Sequence, residues 1–234
     1  MKNQIIRFTL GLALFIAVTS ATAQSIVTIG ATDRGYYDST GFSEGDGANY
    51  LAGQNDSYRD WFLFDLSSVS PGTIVSAQLM LLNPGETYSI TEQEGHYYPL
   101  YDGASGSGTF QLWDVSTSAS DLENGTTLAA TFADLGSGTS YGSQTFSSAD
   151  DGTFFTINLN SDFLAAAQSA LGSGQIAVGG SIDSGNSGFI FGWSGGIDMS
   201  DTMLVLDITP VPEPSTLALV SLGGLNLLLF RRRK

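Results

Sequence analysis

The 234-residue sequence contains no cysteine. That excludes disulfides, thiol nucleophiles and zinc sites built on thiolates. Histidine is nearly absent: His96 is the single imidazole. It sits in EGHYYPLYDG with no G-x-S-x-G elbow nearby, so a surface histidine is a simpler reading than a hydrolytic triad. Basic residues are scarce through the middle of the chain. From Ser25 to Thr209 there are 22 acids and two bases, Arg34 and Arg59, a net charge of −20. So negative a surface repels nucleic acid and anionic lipid, which excludes both as partners of this part. It favours solubility and attracts divalent cations.

What is present is a series of short strands. SIVTI, WFLFDL, AQLMLLN, TFQLWDV, TFFTINL, QIAVGG, GFIFGW and MLVLDIT are rich in β-branched and aromatic residues. Gly, Ser, Asn and Asp cluster between them and supply turns. Phe155, Ile157 and Leu159 share one face of a strand, as do Leu204, Leu206 and Ile208. WFLFDL is apolar on both faces, which predicts a central strand. NSDFLAAAQSALGSG instead spaces Phe163, Leu164, Ala167, Ala170 and Leu171 as a helix does, with Asn160 or Ser161 to cap its start and Gly172 to end it. The segments 30–57, 83–108 and 137–152 read as polar, glycine-rich loops. There is no internal repeat, and about 185 residues can bury a core without disulfides. The expected fold is all-β: a single β-sandwich with one short helix.

Both ends differ from the middle. MKNQIIRFTLGLALFIAVTSATAQ has a basic start, an apolar run from Leu10 to Val18, and Ala21-Thr22-Ala23. This is the layout of a secretory signal peptide over 1–23, cut after Ala23. The run is shorter than the roughly 20 residues of a spanning helix, which disfavours a permanent anchor. At the other end, Pro212 and Pro214 keep the backbone extended. Leu217–Phe230 is mostly apolar, about 21 Å if helical. Arg231, Arg232, Arg233 and Lys234 would remain cytoplasmic, leaving the body outside. The expected division is 1–23, a body over 24–209, and a tail over 210–234.

Pro212-Glu213-Pro214, an apolar helix and a basic cluster, in that order, resemble the PEP-CTERM sorting signal of Gram-negative bacteria. The resemblance implies a protein exported through the inner membrane and held there transiently by its tail. An exosortase, a membrane-embedded transpeptidase-like protease, would then process it near the Pro-Glu-Pro. Pro212, Glu213 and Pro214 would be the recognition residues, and Arg231–Lys234 the stop and orientation signal. Such proteins are associated with surface and extracellular polysaccharide. In the body, YRDWFLFDLSSVSPGTIVSAQLMLL (58–82) is similar to the strand pair of DNRLRE-type domains, which implies a jelly-roll sandwich. Leu63 stands where that family commonly has a basic residue.

Several residues invite chemistry. Asp38, Glu44 and Asp46 lie on a glycine-rich stretch, with Asp56 nearby, and calcium takes such oxygen ligands. The spacing is not that of an EF-hand, and a solvated acidic loop competes with this reading. Tyr97, Tyr98 and Tyr101 cluster in one segment, where they can stack on sugars or pack a turn. Tyr36 and Tyr37 pair in another. Trp61, Trp113 and Trp193 fall in strand patterns that suggest core packing. Paired carboxylates can hydrolyse glycosides, but among 22 acids some pair always falls at a suitable separation. Arg59, at the start of a central strand, is expected to pair with a carboxylate in a structural role. The body is thus expected to be a structural or adhesive domain without catalysis. The rivals are a carbohydrate-binding module and a polysaccharide hydrolase.

Overall fold

A computed structural model describes residues 24–47, 49–82, 104–105, 107–125, 128–150, 152–172, 174–183, 188–193 and 201–211. Gln24–Val211 forms a compact unit. The chain enters β1 (Ser25–Gly30), β2 (Asp33–Asp38), β3 (Ser43–Gly47), β4 (Asn49–Gly53), β5 (Tyr58–Asp65) and β6 (Gly72–Leu82). It continues through β7 (Ala104–Ser105), β8 (Ser107–Asp114), α1 (Ala119–Glu123), α2 (Leu128–Asp134) and β9 (Ser140–Ser147). A 3-10 turn at Ser148–Asp150 leads to β10 (Phe154–Asn158), α3 (Ser161–Ala170), β11 (Gln175–Ile182), β12 (Phe189–Trp193) and β13 (Thr202–Pro210).

The strands form a β-sandwich. One sheet runs β1-β13-β6-β10; the larger runs β7-β12-β4-β5-β11-β8-β9, with β2 pairing to β5 and to β3. Every ladder is antiparallel. Alternation decides which side chains meet between the sheets. Leu204, Leu206 and Ile208 of β13 face Phe62 and Phe64 of β5 and Ile176 and Val178 of β11 in one buried cluster. Phe155 and Ile157 of β10 join them, as their spacing predicts.

WFLFDL is apolar on both faces because both faces are covered. Phe62 and Phe64 point between the sheets, whereas Trp61 and Leu63 form a second cluster with Tyr37, Leu122 and Leu135. That second cluster lies beneath α1 and α2, so the expectation of one helix is corrected to three among the described residues. Ser118 caps α1 by accepting from the Asp121 N–H at 3.2 Å. Gly179 makes room for this layer: a Cβ there would lie 2.8 Å from the Leu135 carbonyl oxygen. α3 occupies its predicted place, capped by the Asn160 side chain, with Phe163 and Ala167 buried. Its Gln168 behaves like a piece of strand, accepting from Ile74 N–H and donating to the Gly72 carbonyl, each at 2.9 Å.

Three expected loops are also corrected. The segment 30–57 carries β2, β3 and β4, 137–152 carries β9, and 83–108 carries β7 and the start of β8. Tyr36 and Tyr37 are therefore buried strand residues. The signal segment 1–23, the tail 212–234 and the segment 83–103 lie outside the described residues.

Candidate functional site

The two arginines of the body organise separate polar clusters. Arg34 projects from β2 into the space between the sheets and is fully buried. Its guanidinium forks onto Asp201, with Nη1 2.5 Å from Oδ1 and Nη2 3.1 Å from Oδ2. Nη1 also donates to the Thr202 hydroxyl, and the guanidinium carbon lies 5.2 Å from the Tyr50 ring centre. The Tyr50 hydroxyl donates to the Leu82 carbonyl at 2.6 Å. Burial pushes its pKa well above the phenol value, with Arg34 opposing. Arg34 belongs to the large sheet and Thr202 to the small one, so the cluster fastens the two layers at one end of the sandwich.

Asp60 is the odd member of this interior. It follows Arg59 on β5, faces Gly180 across the ladder and is fully buried. Neither carboxyl oxygen has a hydrogen-bond partner among the described residues. Burial pushes its pKa well above the ordinary aspartate value, and its own backbone N–H offsets only part of this. Gly180 leaves the space it occupies: a Cβ there would lie 2.1 Å from Asp60 Oδ1 and 2.3 Å from the Phe110 ring. A raised carboxyl suits a general acid. Asp60, however, is walled into the core, where no polysaccharide reaches it.

The second arginine locks a left-handed turn. Gln54, Asn55 and Asp56 all have φ between 52° and 61°, a conformation unfavourable for residues with a Cβ. The turn closes through the Ser57 N–H to the Gly53 carbonyl at 3.0 Å. Arg59 Nε and Nη2 grip the two Asp56 oxygens at 2.9 and 2.8 Å. Its Nη1 donates to the Phe132 and Ala133 carbonyls at the end of α2, and the guanidinium stacks 4.4 Å over the Phe132 ring. The expected ion pair of Arg59 is thus present and structural. It joins a hairpin to the C-terminal end of a helix, where a cation is favourable.

The candidate calcium ligands divide. Asp38 Oδ1 accepts from Thr40 N–H and hydroxyl and from Phe42 N–H at 2.8–2.9 Å, bracing the turn between β2 and β3. Asp56 is held by Arg59. Glu44 and Asp46 lie on β3, and their side chains are outside the described residues. Among the described residues no three of His, Cys, Asp and Glu gather as metal ligands. His96, Tyr97, Tyr98 and Tyr101 lie in 83–103, outside the described residues, as do Ala21, Ala23, Pro212, Glu213, Pro214, Arg231, Arg232, Arg233 and Lys234. Trp61 is fully buried, and Trp113 donates to the Ser181 hydroxyl at 2.8 Å. Arg34, Asp60 and Asp201 carry no linear motif; the one signal is that Arg34, one of only two bases in the body, sits in the strand-like DRGYYD.

The two ends of the body lie together. Ser25 is opposite Ile208 in the β1–β13 ladder, and Gln24 Nε2 donates to Asp207 Oδ2 at 2.8 Å. The body ends at Val211, which is 62% exposed. What the fold defines is therefore an acidic β-sandwich whose first and last residues leave from one end. Residues 210–234 match the PEP-CTERM protein-sorting motif, so the tail begins where β13 stops. The motif implies export and exosortase-mediated processing toward the cell surface. No curated protein matches the chain.

Proposed function

We propose that the chain is an exported β-sandwich that an exosortase releases from its tail. It then serves a structural or adhesive role at the cell surface or in the extracellular matrix, in association with exopolysaccharide and without catalysis. The observation that carries the reading is the sorting motif at 210–234, directly continuous with β13. In this reading Pro212, Glu213 and Pro214 are recognised, and Arg231–Lys234 hold the tail's orientation until processing. The leader is cut after Ala23. The polar clusters of Arg34 and Arg59 serve the fold, each tying together elements distant in sequence, and neither offers an exposed catalytic group. In the rival reading, a carbohydrate-binding module, Tyr97, Tyr98 and Tyr101 would contact the sugar, and glycan binding lost in Tyr97→Ala or Tyr98→Ala would favour it.

The test is intact mass and fractionation of the protein from its native host. The expected material begins at Gln24, lacks the tail and is recovered outside the inner membrane. Material that keeps residues 212–234 and stays in lipid rejects the proposal. Turnover of polysaccharide that a single carboxylate substitution abolishes would favour the hydrolase instead.

A further inference from the structure

The chain leaves its folded body with very little slack. β13 ends at Pro210, and Val211 alone separates it from Pro212. At no more than about 3.6 Å per residue, Pro212 lies within about 7 Å of Pro210. β13 has no length to lend. Leu206 and Ile208 are buried between the sheets, and Thr209 and Pro210 are in register with Thr73 and Gly72. Recognition of an extended peptide engages its backbone over several residues. An enzyme that engages Pro212-Glu213-Pro214 therefore meets the end of the sandwich.

At that end is a cleft of about 310 Å³ between β1 and the connection from β5 to β6. Val27, Val69 and Ile208 make its floor, Ser25, Ser68 and Ser70 its rim, and Pro210 lines it where the chain departs. None of its lining residues is charged, although the body around it carries a net charge of −20. β1 alongside is an edge strand, paired only to β13 among the described strands, and its Ile26 is 75% exposed. Such an edge offers a free row of backbone donors and acceptors.

We infer that this cleft and the β1 edge dock the outward surface of the enzyme that processes the tail. The inference rests on the tail being an exosortase substrate. The short connection brings the two surfaces together, and the uncharged lining leaves no charge of the body to be desolvated where they meet. Recognition then reads a folded end as well as a linear motif.

The experiment uses the full chain in membranes that contain the exosortase, with processing followed over time by intact mass. Ser68→Arg with Ser70→Arg, at the exposed rim, is expected to slow processing about tenfold, as the loss of a contact worth about 1.4 kcal/mol would. An inserted spacer of about eight Gly and Ser residues after Val211, spanning roughly 16 Å, should abolish the difference between rim variant and wild type. Equal rates without the spacer overturn the inference. So does a rim defect that persists with the spacer, which would mark a damaged fold. Ser70→Tyr gives a second, uncharged variant should the double arginine fail to fold. If the unaltered chain is never processed, the sorting proposal itself fails and the docking surface is not at issue.

Discussion

The guanidinium of Arg34 and the carboxylate of Asp201 meet inside the sandwich although 167 positions separate them in sequence. The pair stands where the sheets would otherwise part, with Thr202 as a third member on the small-sheet side. Arg34→Met would leave Asp201 facing the core without its counter-charge, a loss expected to cost about 3–5 kcal/mol. Urea denaturation should show it. The double variant Arg34→Met with Asp201→Leu should recover much of the loss, because an apolar pair of similar volume needs no desolvation of charge.

Asp60 gives the body a particular dependence on pH. Its folded pKa lies above the unfolded value of about 3.9. The folded state therefore binds its proton more tightly, and its contribution is most favourable below about pH 4 and declines as pH rises toward the folded pKa. Asp60→Asn keeps the shape and removes the titration. It should raise stability at pH 7, with the gain shrinking to nothing near pH 4. Thermal melts of both proteins across that range check this, and a gain independent of pH would count against it.

Asp134 works in the opposite sense. Burial favours its neutral form, but hydrogen bonds from the Thr117 and Ser116 side chains and backbones outweigh that and hold its pKa below the usual aspartate value. The stability it contributes is present above about pH 4 and lost as acid protonates it. In Asp134→Asn the acid-side loss should be smaller and urea denaturation at neutral pH should show stability lower by about 1 kcal/mol, since solvent screens this partly exposed carboxylate.

Arg59 is expected to resist conservative replacement. Arg59→Lys keeps the charge but loses the planar fork on Asp56 and the stacking on Phe132. A loss of about 1–2 kcal/mol is expected, because the pair is partly exposed and solvent screens it. Amide exchange should quicken in β4, β5 and the end of α2 together, since one side chain ties all three.

Calcium is tested by a melt with and without chelator. Two of the four candidate carboxylates already have other partners, Asp38 in its turn and Asp56 on Arg59. The expected melting temperature is the same in both. A rise on adding calcium that Asp46→Asn removes would establish the site.

Much of the sandwich is legible in the sequence because burial imprints alternation or continuous apolar character on its strands. Of the strands that escaped, β4 (NYLAG) is apolar but only five residues long, whereas β2 and β3 have polar or mixed faces. In β2 the inward positions are Arg34 and Tyr36, and β3 is SEGDG, which no hydrophobic pattern marks. α1 and α2 are five and seven residues long, too short to show a clear period. The sorting motif is linear and is read directly. The environment of Asp60 is not linear. It depends on Gly180 and Phe110 arriving from β11 and β8, and no local spacing announces that.

The antiparallel pairing of β6 with β13 gives the molecule a direction. Pro210 lies opposite Gly72, and Thr202 opposite Leu81, so Val211 and Leu82 mark opposite ends of the same sheet. At about 3.4 Å per residue the nine residues of β13 set those ends roughly 27 Å apart. The chain past Val211 and the chain past Leu82 therefore leave this sheet at opposite ends, so contacts made at one exit do not crowd the other.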